Sequence, residues 1–172
     1  MKTDNLQNYL NSFGKQVVNR AKGGLQRKKG GGTELEKSIK FKVVKDAKGY
    51  TVQFFMNSYG TFVDKGVSGT NKTRKFKDYK KKVVSSPYKY TNKQPPRGII
   101  DKWIVKKGIA PRDEQGRFTS RKSLSFLIAR SIKRQGIQGI SFFQKPLGLG
   151  LEQFGSQILS AIKTDITKAI KQ

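Results

Sequence analysis

The residues that could do chemistry in this 172-residue chain are a few carboxylates and one lysine. Asp46 and Lys48 have the Asp-x-Lys spacing of metal-dependent nucleases, and Glu34 or Glu36 could supply an upstream carboxylate. Such a site holds Mg²⁺ through convergent carboxylates, and the metal then stabilises charge on the phosphate. However, Asp, Lys and Gly are also ordinary turn residues. A tight turn at residues 46–49 is therefore the favoured interpretation.

Two residue types are missing, because the sequence has no histidine and no cysteine. Ser-His-Asp and Cys-His nucleophile arrangements are therefore impossible, as are zinc sites built on these residues. General acid–base catalysis near neutral pH is most often carried out by histidine. The neighbouring Asp113 and Glu114 are typical of a solvated loop. The sequence predicts a protein that is not an enzyme, with no catalytic residue, no metal site and no cofactor.

The charge of the chain is strongly unbalanced, with 37 Lys and Arg against 11 Asp and Glu and a formal net charge of +26. Such an excess favours a polyanionic partner, and DNA or RNA is the first candidate. Lysine outnumbers arginine 28 to 9, whereas bidentate contacts to guanine or phosphate usually come from arginine. We therefore expect nonspecific contact with nucleic acid, and a merely solvated basic surface is the alternative.

Lysines are densest between Thr70 and Lys93, where nine basic residues stand against a single acid. No periodic apolar face runs through this segment, which predicts a long basic loop or an extended hairpin, and long loops in compact domains are usually functional or disordered. Interleaved aromatic residues suit a single-strand stacking surface, but pinning of the loop to a neighbour is favoured. The residues expected to contact nucleic acid or an acidic partner are Lys72, Arg74, Lys75, Lys77, Lys80, Lys81 and Lys82.

The elements that must position these residues begin with an N-terminal helix predicted over 1–22. Its apolar residues recur at three- and four-residue spacing, and Thr3 or Asp4 can cap its start. Gly23-Gly24 is expected to stop this helix. A flexible Gly/Lys-rich linker is predicted to follow over 23–32.

Residues 33–172 are predicted to form a single α+β domain with an insertion at about 68–136. Apolar and polar residues alternate over 39–43 and again over 50–56, which predicts two strands that each have one wet face. Residues 59–63 are expected to add a shorter third strand. The predicted core is thus an antiparallel β-meander sheet packed by helices.

Three further amphipathic helices are predicted beyond the basic segment. The first ends at Gly108, the second ends at Gly136, and the last covers about 151–170. Residues 137–147 are expected to form an apolar extended piece. Apolar and aromatic residues in these segments and near residue 60 are expected in the core or in assembly contacts, and they are Tyr59, Phe62, Trp103, Phe142, Phe143 and Pro146.

Several short motifs occur in an order that is shared with a known family. They are Gly32-Thr33 with Leu35 and Ser38-Ile39, Tyr59-Gly60-x-Phe62-Val63-Asp64-x-Gly66-Val67, Ile100-x-x-Trp103-Ile104-x-x-Lys107-Gly108-Ile109, Leu127-Ile128-Ala129-Arg130, and Phe142-Phe143-Gln144-Lys145-Pro146-Leu147. With the two strands between the first and second motifs, this order resembles the tail-completion, or head–tail joining, family of tailed phages. The third and fourth motifs look like a helical insertion that is frequent in phage members.

The resemblance implies a small subunit that forms a homo-oligomeric ring in the neck or tail of the virion and joins the DNA-filled head to the tail. Its partners would be further copies of the chain and portal, adaptor or tail proteins, with nonspecific contact to packaged DNA and no small-molecule substrate. The implied location is the virion, with the host cytoplasm as the site of assembly. In agreement, we expect no signal peptide and no membrane partner, since no apolar h-region or long uncharged run is present.

The alternative interpretation is a stand-alone basic nucleic-acid-binding protein. The net charge favours it, but the sequence has no helix-turn-helix, RNP or zinc-finger pattern. The apolar segments around Tyr59 and Phe142 are more typical of core or subunit-contact material.

Overall fold

The structure is a computed structural model that describes residues 4–47 and 49–170. It shows the α+β fold that the sequence predicts. The described helices are α1 (Asp4–Lys29), α2 (Glu34–Ser38), α3 (Gly60–Lys65), α4 (Arg97–Lys106), α5 (Arg121–Gln135), α6 (Gln144–Glu152) and α7 (Phe154–Ile170). The described strands are β1 (Lys40–Asp46), β2 (Gly49–Phe55), β3 (Val67–Ser68), β4 (Lys75–Lys77), β5 (Val83–Ser85) and β6 (Gly136–Ile137). Thr3 and Lys48, which the sequence analysis singled out, lie outside the described residues.

The chain divides into two compact units. The first contains the described residues up to Asp64, the segment Lys77–Val83 and the described residues from Ile140 onward. The second contains Lys65–Phe76 and Val84–Gly139.

The first unit is built around helix α1, which packs against the β1–β2 hairpin and against α6 and α7. In the hairpin Val43 pairs with Val52 and Asp46 pairs with Gly49, so the two predicted strands and the turn between them are confirmed. The buried core includes Phe13, Val17, Val18, Ala21, Leu25, Leu35, Ile39, Phe142 and Phe143. Edge-to-face rings add to this packing, because the centroid of Phe54 lies 5.3 Å from that of Phe143.

Helix α1 does not end at Gly23-Gly24, so the predicted helix boundary at 22 and the flexible linker over 23–32 are wrong. Each glycine in a helix costs about 1 kcal/mol relative to alanine. Leu25 is only 1% exposed and packs in the core, and burial of a leucine side chain stabilises by about 1.5–3 kcal/mol. The helix instead ends before Gly30, whose φ of 82° is the left-handed conformation common just after helix ends.

The first turn of α1 donates hydrogen bonds to a residue from the far end of the sequence. Of the two predicted caps, Thr3 lies outside the described residues and Asp4 is the first residue of the helix. Asp165 on α7 is 3% exposed and accepts hydrogen bonds from the N–H groups of Asn5 (3.2 Å) and Leu6 (3.0 Å). Desolvation raises the pKa of Asp165, but these hydrogen bonds outweigh it and hold that pKa below its ordinary value. One carboxylate therefore links the beginning of α1 to α7.

The predicted third strand over 59–63 is also wrong, because this segment lies mainly in helix α3. The carbonyl of Tyr59 accepts the N–H groups of Phe62 (3.1 Å) and Val63 (3.2 Å), which are helical bonds. Tyr59, Phe62 and Val63 have the i, i+3, i+4 spacing of one face of a helix, which the strand prediction overlooked. A Cβ atom at Gly60 would lie 2.7 Å from the Sδ atom of Met56 and 2.9 Å from the side chain of Leu35, so these side chains would have to shift if a larger residue replaced the glycine. The sheet in this unit is thus a two-stranded hairpin rather than a meander.

The apolar segment 137–147 contains β6 and the beginning of α6, and it is not extended throughout. Pro146 is the third residue of α6, where no N–H group is needed for a bond within the helix. Asp64 holds this segment, because its carboxylate accepts the N–H of Phe143 at 2.8 Å and its carbonyl accepts that of Ser141 at 2.9 Å. The last helix begins at Phe154 instead of the predicted Leu151.

The second unit contains the helix pair α4–α5 and the short pairing of β3 with β6. Its buried core consists of Ile100, Ile104 and Ala129, with Leu124, Ile128 and Ile132 half-buried against them. The side chain of Ser120 accepts the N–H of Ser123 and caps α5, and Gly136 follows the helix at a φ of 70°, as expected from the sequence. Strands β4 and β5 pair, which confirms a hairpin within the basic segment.

Among the residues that the structure describes, no helix is both long and apolar enough to cross a lipid bilayer.

Candidate functional site

The carboxylates considered for a nuclease site serve local structure. Glu36 accepts hydrogen bonds from the N–H of Gly32 (2.9 Å) and from Gln26 (2.6 Å), and Glu34 pairs with Lys37 at 2.9 Å. Asp46 ends β1 opposite Gly49. Over residues 4–47 and 49–170, no group of three or more potential metal-ligating side chains occurs.

Asp113 is likewise part of a turn. Its carboxylate accepts hydrogen bonds from the backbone N–H groups of Arg117 (2.8 Å) and Gln115 (3.0 Å) and pairs with the Arg117 guanidinium at 3.0 Å. The N–H of Arg117 is the main cause that lowers the pKa of Asp113.

The seven predicted basic contact residues divide between the two units. Lys72, Arg74 and Lys75 belong to the second unit, and the other four belong to the first. Arg74 is used internally, because its guanidinium donates to the carbonyls of Gln135 (2.7 Å) and Gly136 (3.4 Å). Lys72 and Lys75 remain exposed. Arg74 therefore stabilises the second unit by binding backbone carbonyls, and its guanidinium is not free for a partner.

The tip lysines, which are Lys77, Lys80, Lys81 and Lys82, lie on the turn between β4 and β5. Asp78 shapes this turn by accepting the N–H of Lys82 at 2.8 Å. The turn lies against α6, because the N–H of Tyr79 donates to the side chain of Gln144 at 3.2 Å and Lys81 forms an ion pair with Glu152. Three of the four tip lysines are thus left without an ion pair in the described chain.

The first unit also contains a basic cavity that the sequence analysis missed. Its cationic residues are Arg20, Arg27 and Lys28 of α1 and Lys145 of α6, and its volume is about 440 Å³. The remaining lining residues are Gly24, Ile140, Ser141, Phe142, Pro146 and Leu149, so no acidic side chain lines this cavity.

The sequence contains a signal for this cavity in the spacing of its α1 residues. Positions 20, 24, 27 and 28 recur at intervals of four, seven and eight residues, which places them on one face of a helix. The prediction of a flexible linker after residue 22 concealed this spacing. Lys145 gave no such signal, because its position beside α1 depends on how α6 packs.

The basic cavity continues toward the tip lysines. Lys145 and Leu149 also line a second cavity of about 180 Å³, together with Lys77 and Lys81. The positive surface of the first unit therefore extends from the end of α1 across α6 to the β4–β5 turn.

The predicted core or assembly residues fall into two groups. Phe142, Phe143 and Pro146 are buried in the first unit. Tyr59 and Phe62 are 44% and 43% exposed, so they can still take part in contacts with a partner.

The second unit exposes large apolar side chains on a small core. Ile99 is 67% exposed, Trp103 is 46% exposed, and both lie one turn apart on α4. Leu127 on α5 is 58% exposed and Phe118 is 71% exposed. Single exposed apolar residues are common, but this many beside a three-residue core form a candidate contact surface.

Comparisons of this chain with protein-family models, with curated proteins and with solved structures found no match.

Proposed function

We propose that this chain is a non-enzymatic structural subunit of a tailed-phage virion that forms a ring in the neck or tail and joins the DNA-filled head to the tail. The observation that carries the assembly role is the exposed apolar surface of the second unit. The resemblance of the ordered motifs to tail-completion proteins supplies the specific kind of assembly.

The energetics of the second unit support association. Burial of one large apolar side chain stabilises by about 1.5–3 kcal/mol, and Ile99 and Trp103 offer two such side chains on one face of α4. Closed rings of identical subunits use contacts in which one surface meets a different surface of the next copy. The first unit offers a candidate for that second surface in an apolar groove of about 480 Å³ between α1, β2, α6 and α7.

The positive charge supports a location beside DNA. Lys80 and Lys82 are exposed at the β4–β5 turn, and lysines of this kind attract phosphate without reading sequence. Glu36 accepts hydrogen bonds from Gly32 and Gln26, and Glu34 pairs with Lys37, so these carboxylates are already engaged in local contacts, which favours a binding role over a catalytic one.

Disruption of the gene in the phage that encodes this chain tests the proposal. We expect filled heads and complete tails that remain separate, as seen by electron microscopy, because the joining subunit is missing. If disruption stops DNA replication or packaging while heads and tails still join, the proposal is wrong.

A complementation experiment tests the surface itself. Ile99→Gln combined with Trp103→Gln removes apolar area, and Lys102→Gln combined with Lys106→Gln is the matched control on the same helix. We expect the first variant to lower the yield of joined particles by at least about tenfold, which corresponds to about 1.4 kcal/mol, and the control to complement normally. Equal yields for the two variants would exclude this face as an assembly contact.

A stand-alone nucleic-acid-binding protein remains the second candidate, and the continuous positive surface of the first unit favours it. The two candidates differ in whether the chain is part of the particle. Its absence from purified virions, together with binding to DNA or RNA in infected cells, would support the second candidate.

A further inference from the structure

The basic cavity combines a cluster of cations with an apolar floor, a combination that is not typical of a merely solvated positive surface. Cations from α1 and α6 surround it without an acidic neighbour among the lining residues, so the cavity attracts an anion from outside. Its floor is apolar, with Phe142 3% exposed and Pro146 also buried. A ligand that fits must therefore bring both negative charge and an apolar group.

Ser141 gives a second, independent indication of a binding site. It lines the cavity, is 4% exposed and has a φ of 49°, a left-handed conformation that non-glycine residues rarely adopt. Its N–H donates to the carbonyl of Asp64 at 2.9 Å, which holds this conformation. Strained backbone that is held by its surroundings is concentrated at ligand sites.

We propose that the basic cavity is a docking site for an acidic segment of another protein, in which an apolar side chain lies between two or more carboxylates. The apolar side chain occupies the floor formed by Phe142, Pro146 and Leu149. The carboxylates bind the guanidinium groups of Arg20 and Arg27 and the ammonium group of Lys145 at the rim. A volume of about 440 Å³ lies within the range of pockets that bind small groups.

An acidic protein segment fits better than a DNA duplex, and the experiment below tests single-stranded nucleic acid. The surface of a DNA duplex is broad and convex, so phosphates would reach the cationic rim while the apolar floor stayed in water. A second copy of this chain is a poor source of the segment. In its Glu34-Leu35-Glu36 sequence the apolar side chain is 5% exposed and packs in the core, and its adjacent pair Asp113-Glu114 belongs to a turn with arginines on both sides. The occupant is therefore a different protein with an acidic segment.

A fluorescence anisotropy experiment on the full chain tests the chemistry of the ligand. The probe is a labelled peptide with a Phe-Leu pair flanked by glutamates on both sides. One control peptide has glutamine in place of every glutamate, a second has Ser-Gly in place of Phe-Leu, and a labelled single-stranded oligonucleotide provides the nucleic-acid arm. We expect the first peptide to bind at least about tenfold more tightly than either control peptide, because each control removes one half of the recognition.

Charge variants locate the binding. Arg27→Gln combined with Lys145→Gln removes two rim charges, and Lys15→Gln combined with Lys163→Gln removes two exposed charges from α1 and α7 away from the cavity. We expect the rim variant to weaken peptide binding by at least about tenfold, which equals about 1.4 kcal/mol. The control variant should change binding by less than about threefold, since distant exposed charges are screened by salt.

A pair of glycine variants tests the cavity without a change of charge. A Cβ atom at Gly24 would lie 3.6 Å from the Cβ of Phe142, an ordinary contact, so Gly24→Leu can fold and fill the floor. Gly155→Leu on α7 is the control, because a Cβ there meets nothing within 4 Å. We expect Gly24→Leu to abolish the preference for the Phe-Leu peptide and Gly155→Leu to retain it, with unchanged thermal unfolding in both.

Three outcomes would overturn the proposal. The glutamine peptide could bind as tightly as the glutamate peptide, or the rim variant could lose no more affinity than its control. The rim variant could also bind the oligonucleotide more weakly than wild type does, while the acidic peptide binds wild type no better than its control peptides. That result would assign the cavity to nucleic acid. The proposal stands on this cavity alone, so it can fail while the ring assembly stands, and the reverse also holds.

Discussion

Among the polar side chains of the first unit, we expect the loss of Asp64 to lower the free energy of unfolding most. It is 2% exposed, and its carboxylate accepts the N–H of Phe143 at 2.8 Å and lies 3.5 Å from the N atom of Gln144. A buried hydrogen bond to a charged acceptor contributes about 1.5–3 kcal/mol, and a negative charge at a helix N-terminus adds about 0.3–1 kcal/mol. Asp64→Ala should therefore lower the free energy of unfolding by about 2–4 kcal/mol.

Thermal unfolding followed by circular dichroism measures this effect. For a chain of this size 1 kcal/mol corresponds to about 2–4 °C, so Asp64→Ala should lower the Tm by roughly 5–15 °C. The Tm of Asp64→Asn should lie between those of wild type and Asp64→Ala, because its amide oxygen can accept the same N–H groups without the charge. Asp101→Ala is the control, since Asp101 forms only a surface ion pair with Arg121 at 3.8 Å. If Asp64→Ala melts within about 2 °C of that control, Asp64 does not hold the start of α6.

Two further perturbations and one binding measurement follow from the structure. Because the pKa of Asp165 is lowered in the folded state, its charge stabilises the fold above the unfolded pKa, near 4, and this stability is lost as the pH falls through the folded pKa. In urea unfolding from pH 7 downward, the free energy of unfolding of Asp165→Asn should therefore fall less with acid than that of wild type or of the control Glu114→Gln. A Cβ atom at Gly136 would lie 2.2 Å from the carbonyl O of Val67, so Gly136→Ala should shift the emission of Trp103, the single tryptophan, whereas Gly98→Ala should not. Binding of DNA should weaken with salt by about 0.9 log units per log unit for each phosphate contact, and neutralising the tip lysines should reduce this slope; an unchanged slope would place the DNA contacts elsewhere.

The parts of the fold that could be predicted from sequence are those whose signals are local. The β1–β2 hairpin follows from two alternating segments around a turn at residues 46–49, and in the structure Val43 lies opposite Val52. The ends of α5 follow from a serine cap at Ser120 and a glycine at Gly136, which local conformational preferences assign to these positions.

The parts that could not be predicted depend on packing between distant segments. Gly23-Gly24 is a strong local stop signal, but the burial of Leu25 in the core outweighs it, and nothing near Leu25 in the sequence reveals that core. Residues 59–63 are a different case, because Tyr59, Phe62 and Val63 have a helical spacing that the strand prediction overlooked. The cap of α1 by Asp165 joins the two ends of the chain, which no local pattern can indicate.

Basic residues that look equivalent in the sequence have different roles in the structure. Arg74 and Lys81 belong to the densest basic segment, yet one braces backbone carbonyls and the other pairs with Glu152. Arg27 lies in a segment that reads as a linker, yet the continuation of α1 places it beside Lys145 of α6 at a common cavity. Local charge density thus predicts that the protein binds anions, whereas the location of a shaped site depends on which helices continue and which of them pack together.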